Sequence, residues 1–510
     1  MHKKMQDKVC KTNNFMNWES VTGESATSTL FGAPDANGVV QAVSFQQAFC
    51  NNQSNKVTIL VDGVPTEVDF GNYDASAWNT ARDDFSVQGN MWAPDVVYND
   101  TLGKWCMYLS LNGSTWNSVI ILLTADEVEG PYVYQGPVVY SGFSNTIDEL
   151  SYENTDLEIV LGDLDTLPEK YDLADNKQWG EYLPHAIDPC VFYDDDGNLW
   201  MSYGSWSGGI YVLELDEETG LRDYTVTYES DIDTKGKNVT SDAYFGKKIA
   251  GGHYVSGEGS YIQKIGDYYY LFMSYGFYSP EGGYQMRIFR SEKPDGPYTD
   301  TTGVDAVFSE FHLNYTADWG TIKDFRGERL MANYQWNTME KGEVSQGHNS
   351  AIVDEEGRAY VVYHTKFNDG TVAHEYDCGY SKDTDAKMTT LCPLDLTLQE
   401  DGTVSGAFSG TWSEKEGTPY ATITLDGKTY TGVFVKQTVD ATGMETMCFT
   451  VVDETSGLNI WGSKNVSDQE IVALNASVVT VEIPEKTYTD LTLPATDHGG
   501  TQFHMMRRMP

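Results

Sequence analysis

The 510-residue sequence predicts an all-β protein, a five-bladed β-propeller with an incomplete first blade, followed by a small β-sandwich or barrel domain. Three observations lead there. Four segments of one pattern recur in the first three quarters of the chain: a polar residue, a short β-run, a turn around Gly, and a second β-run ending near Tyr. A Gly-Pro-Tyr turn follows two of them, and from Pro393 the pattern changes to short, evenly turned strands.

In chain order, KTNNFMNWES (Lys11 to Ser20) looks like the outer part of a blade with no inner hairpin ahead of it. A first blade without inner strands would expose the backbone edge of the next strand. The chain is therefore expected to be a fragment or to be read from an internal Met. Between Phe31 and Gln88 lies a polar stretch with one hairpin, VTILVDGVPTEVDFG, expected as an excursion off the rim.

The four recurring segments are WAPDVVYNDTLGKWCMYLS from Trp92, AIDPCVFYDDDGNLWMSYGS from Ala186, GEGSYIQKIGDYYYLFMSYG from Gly257 and GHNSAIVDEEGRAYVVYHT from Gly347. Each reads as a hairpin, because β-branched and aromatic runs flank an Asp, Gly or Lys turn. Starts roughly 70 to 95 residues apart suit blades carrying long loops. EVEGPYVYQG around Gly130 and KPDGPYTD around Gly296 read as turns into an outer strand. The predicted units are residues 1–385 for the propeller, 386–470 for the small β-domain and 471–510 for the beginning of a further module.

Composition narrows the partners. A formal charge of -43 disfavours nucleic acid or an anionic membrane surface, and a neutral polymer such as a polysaccharide fits better. An aromatic content of 13% suits stacking on sugar rings and equally suits tyrosine-rich sheet. Seven scattered cysteines without a CxxC pair indicate neither a zinc site nor a dense disulfide framework, though Cys378 and Cys392 could pair. No apolar run is long enough to cross a membrane, and MHKKMQDKVC has no hydrophobic signal core.

Glu258 carries the chemical reading. A carboxylate between two glycines, ahead of tyrosines and apolar residues, lies beside surface that solvates it poorly, so its pKa should rise. A carboxylic acid still protonated near neutral pH can deliver a proton to a leaving oxygen. A lone glutamate in such a place is more often an ordinary strand-end carboxylate, so its surroundings must decide.

At WAPDVVYN, AIDPCVFYDDDGNLWMSYGSWSGGI, FGKKIAGGHYVSGEGSYI, GGYQMRIFRSEKPDGPY and GHNSAIVDEEGRAYVVYHTKFNDG the sequence resembles glycoside hydrolase family 43, in particular its extracellular endo-arabinanase-like members. TYTGVFVKQ and LNIWGSK are similar to the β-domain that follows the propeller in larger members, and DLTLPATDHGG to the start of a bacterial immunoglobulin-like module. The resemblance implies Glu258 as general acid and Asp188 as the third carboxylate that keeps it protonated. It implies Trp92, Trp206 and Ser205 as substrate-binding residues, and His348 beside a calcium ion, through water because histidine is an unusual ligand for a hard cation. Asp95, in WAPD, is expected to be structural. The implied substrate is a plant cell-wall polysaccharide, arabinan or arabinoxylan, and the implied location is extracellular or on a bacterial cell surface.

One departure stands out. The family's general base is an Asp in a context like HDPSII, and no such segment occurs in the sequence; Asp7 lacks its surroundings. An inverting hydrolase needs two carboxyl groups separated by roughly 6.5 to 9.5 Å, so the chain by itself is expected to be weak or inactive. Two alternatives stay open: a β-xylosidase or α-L-arabinofuranosidase of the same family, and a carbohydrate-binding protein without turnover.

Overall fold

The structure is a computed structural model. It describes residues 30–43, 56–70, 91–113, 116–173, 182–232, 239–252, 257–276 and 284–300, shorter stretches as far as 367, and then the strand backbone alone to 482. The described residues are β-structure almost throughout. The five-residue α-helix Leu157–Leu161 is set among short 3-10 turns in the connection between the first two sheets.

Each recurring segment forms the hairpin expected of it, and each hairpin opens a sheet. Met91–Asn99, Lys104–Asn112, Ser118–Ala125 and Tyr132–Ser141 run antiparallel in the first. Cys190–Tyr193, Leu199–Tyr203, Ile210–Leu215 and Gly246–Ala250 follow in the second, which continues to Val239–Asp242 and Asp231–Ile232. Glu258–Ile265, Tyr268–Tyr275, Gln285–Ser291 and Glu328–Met331 form the third, and Glu343–Val353, Ala359–Phe367 and Ala386–Leu391 the fourth. The first strand of each sheet packs on the first strand of the next. Residues at the heads of these strands are thereby brought toward one another.

Burial explains the strand composition. Ser118–Ala125 is buried at every position, as an apolar run covered on both faces should be. Its side chains join a core with Tyr108, Tyr132, Tyr203, Tyr211 and Phe245, running from the first sheet into the second. The two Gly-Pro-Tyr turns repeat in detail. In both, the Gly amide donates to the carbonyl three residues back (Glu127, Lys293). In both, the Tyr hydroxyl donates to the carbonyl four residues back, Tyr132 to Val128 at 2.9 Å and Tyr298 to Pro294 at 2.8 Å.

Three placements differ from expectation. Phe31–Pro34 is no excursion: it adds parallel to Tyr132–Ser141 at the outer edge of the first sheet and carries Val40–Ala42 beyond it. Its buried Phe31 explains why it docks. Lys56–Val61 and Val64–Asp69 do form the expected separate hairpin, turning at Asp62 and Gly63, both with positive φ. Ala386–Leu391 pairs with Ala359–Phe367, so the fourth sheet runs past residue 385. Gly410–Glu414 through Val478–Glu482 close a seven-stranded barrel, which takes in residues beyond 470. The blade-like segment 11–20 is described only where Cys10–Lys11 pairs with Glu19–Ser20, and Asp7, Cys378 and Cys392 lie outside the described residues. Cys106 and Cys190 are free and buried.

Candidate active site

Glu258 is the first residue of its strand and pairs with Ser274 on the neighbouring strand. The glycines around it answer to space and backbone. Gly257 and Gly259 have φ of 72° and 58°. A Cβ on Gly257 would fall 2.2 Å from the Ser274 carbonyl oxygen, and one on Gly259 would fall 2.9 Å from the His348 ring. Glycine is therefore the residue that lets this carboxylate approach both neighbouring strands.

Asp188 comes from the loop that leads into the second sheet and reaches the same spot. Its amide donates to Ser110 Oγ at 3.1 Å, and its Oδ2 accepts from the amide of Gly259, one residue past Glu258, at 3.2 Å. The Ser205 hydroxyl bonds to the same carboxylate. Ser205 is buried and holds Asp188. Trp92 pairs with Ser110 on the first sheet, which sets it at this end of the strands.

Trp206 engages Glu258 twice over. Its amide donates to the Gly257 carbonyl at 2.6 Å, and its indole Nε1 donates to Glu258 Oε2 at 2.9 Å. The other carboxyl oxygen, Oε1, bonds to the Tyr284 hydroxyl at 2.9 Å. Tyr284 was not singled out by sequence reasoning, although it lies in the GGYQMRIF segment; an aromatic in an apolar strand looks like core. His348 closes the site from the fourth sheet. Its amide donates to Ser274 Oγ at 2.6 Å, and its imidazole stands perpendicular to that of His364 at 6.4 Å.

Backbone strain gathers at these positions. Asp188, Trp206, Ser207 and His348 all have positive φ, between 40° and 56°. Such conformations cost non-glycine residues on the order of 1–3 kcal/mol each and persist where surrounding structure imposes them, often at functional sites.

The electrostatics separate the two carboxyl groups. Burial pushes Glu258 above the usual carboxylate range and the charge of Asp188 pushes it further, against His348, Tyr284 and Trp206. Burial also raises Asp188, opposed by the charge of His348, the Gly259 amide and Ser205. Glu258 is the one that feels its neighbour's charge as a cost, which favours its neutral form. Asp95 plays no part in this pair. Its Oδ2 accepts from the Val191 amide at 2.7 Å, tying the first sheet to the second, and burial lifts its pKa to about 6.

Among the described residues no three His, Cys, Asp or Glu side chains gather as a metal-ligand set. A single imidazole does not make a site for a hard cation, so the described side chains do not by themselves fit directly bound calcium. What they provide is a buried carboxyl group bonded at both oxygens, with a second buried carboxyl group beside it.

Residues 175–384 match the model for glycosyl hydrolases family 43, and residues 363–462 match a C-terminal lipocalin-like domain, in keeping with the closed barrel. The chain is 32% identical over 433 residues to "Extracellular endo-alpha-(1->5)-L-arabinanase 2" of Bacillus subtilis (strain 168), spanning 75% of this chain and 81% of the relative. It is 30% identical over 439 residues to an extracellular endo-α-(1→5)-L-arabinanase of Thermotoga petrophila, spanning 76% and 81%. Among solved structures it is similar to a family 43 glycoside hydrolase, the YxiA protein of Bacillus licheniformis, with a TM-score of 0.53 at 26% identity over 90% of this chain and 93% of that one. An endo-1,5-α-L-arabinanase of Thermotoga petrophila RKU-1 aligns with a TM-score of 0.50 at the same identity and coverage.

Proposed function

The chain belongs to glycosyl hydrolases family 43, whose members act on O-glycosyl bonds, and from that premise we propose that it hydrolyses α-1,5-linked arabinan internally and with inversion. Glu258 protonates the departing glycosidic oxygen. Asp188, ionised beside it, keeps that proton in place and helps orient the sugar. Trp92 and the face of Trp206 meet the furanose rings. The observation that carries this reading is the convergence of Asp188 and Glu258: the amide that follows Glu258 binds Asp188 Oδ2.

The four sheets are read as four of five blades, supported by the chain of contacts between their first strands, and the barrel from Gly410 as a separate domain. Calcium, held through its water shell at His348, belongs to the proposal with no catalytic step assigned to it. An extracellular setting follows from polymer size and agrees with the names of the relatives.

The test is release of oligosaccharides from debranched linear arabinan by the wild type and by Glu258→Ala. Loss of a general acid costs roughly 10²–10⁴-fold in rate. Mixed oligosaccharides released by the wild type and lost in the variant support the reading; equal turnover removes Glu258 from its role. Release of single arabinose or xylose units favours an arabinofuranosidase or xylosidase. A second reading is a carbohydrate-binding protein without turnover. Retardation of the protein in arabinan gels with no sugar released would support that one.

A further inference from the structure

Trp206 and Tyr284 hold the two oxygens of Glu258 differently. An indole N–H can only donate, so Oε2 is an acceptor whatever the charge of the carboxyl group, and the proton of the neutral acid belongs on Oε1. Facing Oε1 at 2.9 Å is a hydroxyl, which can donate or accept. Ser274 Oγ lies on the same side of Gly347 as the Tyr284 ring, accepts from the His348 amide at 2.6 Å and has another lone pair that can take the Tyr284 proton. Its ring is fixed in this place. Tyr284 is fully buried, lies edge-on to Tyr278 at 5.3 Å, and covers Gly347, where a Cβ would come within 2.4 Å of its ring.

We propose that Tyr284 is a positioning residue that follows the proton of the acid: its hydroxyl accepts from Oε1–H while Glu258 is neutral, and turns to donate to Oε1 once the proton has left. This rests on the reading of Glu258 as proton donor. In the neutral state the Tyr284 proton points to Ser274 Oγ. When the glycosidic C–O bond breaks, the Oε1 proton goes to the leaving oxygen, the O–H bond of Tyr284 stays intact and only rotates, and the new carboxylate gains a charge-assisted hydrogen bond. Tyr284 thus leaves the proton on the acid before transfer and stabilises the charge left after it. The titratable groups acting on Glu258 are Asp188, His348 and Tyr284, with His364 behind His348 and Tyr278 behind Tyr284.

The test reads the carboxyl carbon of Glu258 by NMR in protein labelled with ¹³C at the glutamate side-chain carboxyl, the signal being assigned by its loss in Glu258→Gln. Tyr284→Phe removes a stronger bond from the carboxylate than from the acid, so Glu258 should titrate roughly half to one pH unit higher than in the wild type. Ser274→Ala removes the partner that the Tyr284 proton needs in the neutral state and should move the titration down. It also keeps the test open should Tyr284→Phe fail to fold. A Glu258 signal raised in the wild type but unmoved by either change, or moved down in Tyr284→Phe, overturns the role of Tyr284. A wild-type signal in the ordinary glutamate range overturns the acid assignment beneath it, which is a different result.

Discussion

Gly347→Ala puts the packing behind the site under direct test. Gly347 lies beside His348 on the first strand of the fourth sheet, and its φ is not among the positive values, so alanine meets no backbone penalty there. The penalty is one of space: the new Cβ would fall 2.4 Å from Tyr284 Cε1 and 2.7 Å from Ser274 Oγ. An ordinary carbon–carbon contact needs ~3.5 Å, so the ring must retreat by roughly 1 Å. That carries the Tyr284 hydroxyl from 2.9 Å beyond the ~3.2 Å reach of a good hydrogen bond to Glu258. Overpacking of this kind costs about 1–3 kcal/mol. Scanning calorimetry of wild type and variant should show the melting transition lowered by a few degrees, and arabinan hydrolysis should fall with it. An unchanged transition together with unchanged hydrolysis would refute the tight seating of Tyr284 on Gly347.

Three further outcomes follow from the charges. The folded protein holds the Glu258 proton more tightly than the unfolded chain, so stability falls as pH rises from the ordinary glutamate range toward the raised folded value. Glu258→Gln should therefore melt with the wild type in acid and above it at neutral pH; a variant less stable at pH 7 contradicts the burial of that charge. Asp95 titrates near 6 instead of 3.8, a gap of at most about 3 kcal/mol and roughly half that at a half-buried position. Wild-type stability should decline between those pH values and Asp95→Asn should lack that slope in the same calorimetric series; identical slopes would exclude Asp95 as the cause. Calcium held through water at His348 should raise the melting temperature of the wild type by mass action, and His348→Ala should lose that rise; equal rises remove calcium from His348.

Much of this was legible in the sequence because repetition is a local signal. The four hairpins announce themselves by alternating β-runs and Gly turns, and GEGSY by flanking glycines whose necessity lies in the Ser274 carbonyl and the His348 ring within 3 Å of them. Asp188 and Glu258 could be paired from the resemblance, and the geometry supplies the physical link through the Gly259 amide. What sequence reasoning missed depends on contacts between distant segments. Tyr284 looks like a core residue until its hydroxyl is seen to face Oε1. Phe31–Pro34 docks in parallel on a strand a hundred residues away, which no local pattern encodes. Closure of the barrel likewise pairs Gly410–Glu414 with Val478–Glu482, strands far apart in the sequence.

The central claim is that Glu258 keeps its proton because it is buried and because Asp188 beside it is charged. Titrating the Glu258 carboxyl carbon in the wild type and in Asp188→Asn tests this most directly. A wild-type signal above the ordinary glutamate range that moves down when the charge of Asp188 is removed is the expected result. A signal already in the ordinary range, or one indifferent to Asp188, would contradict it.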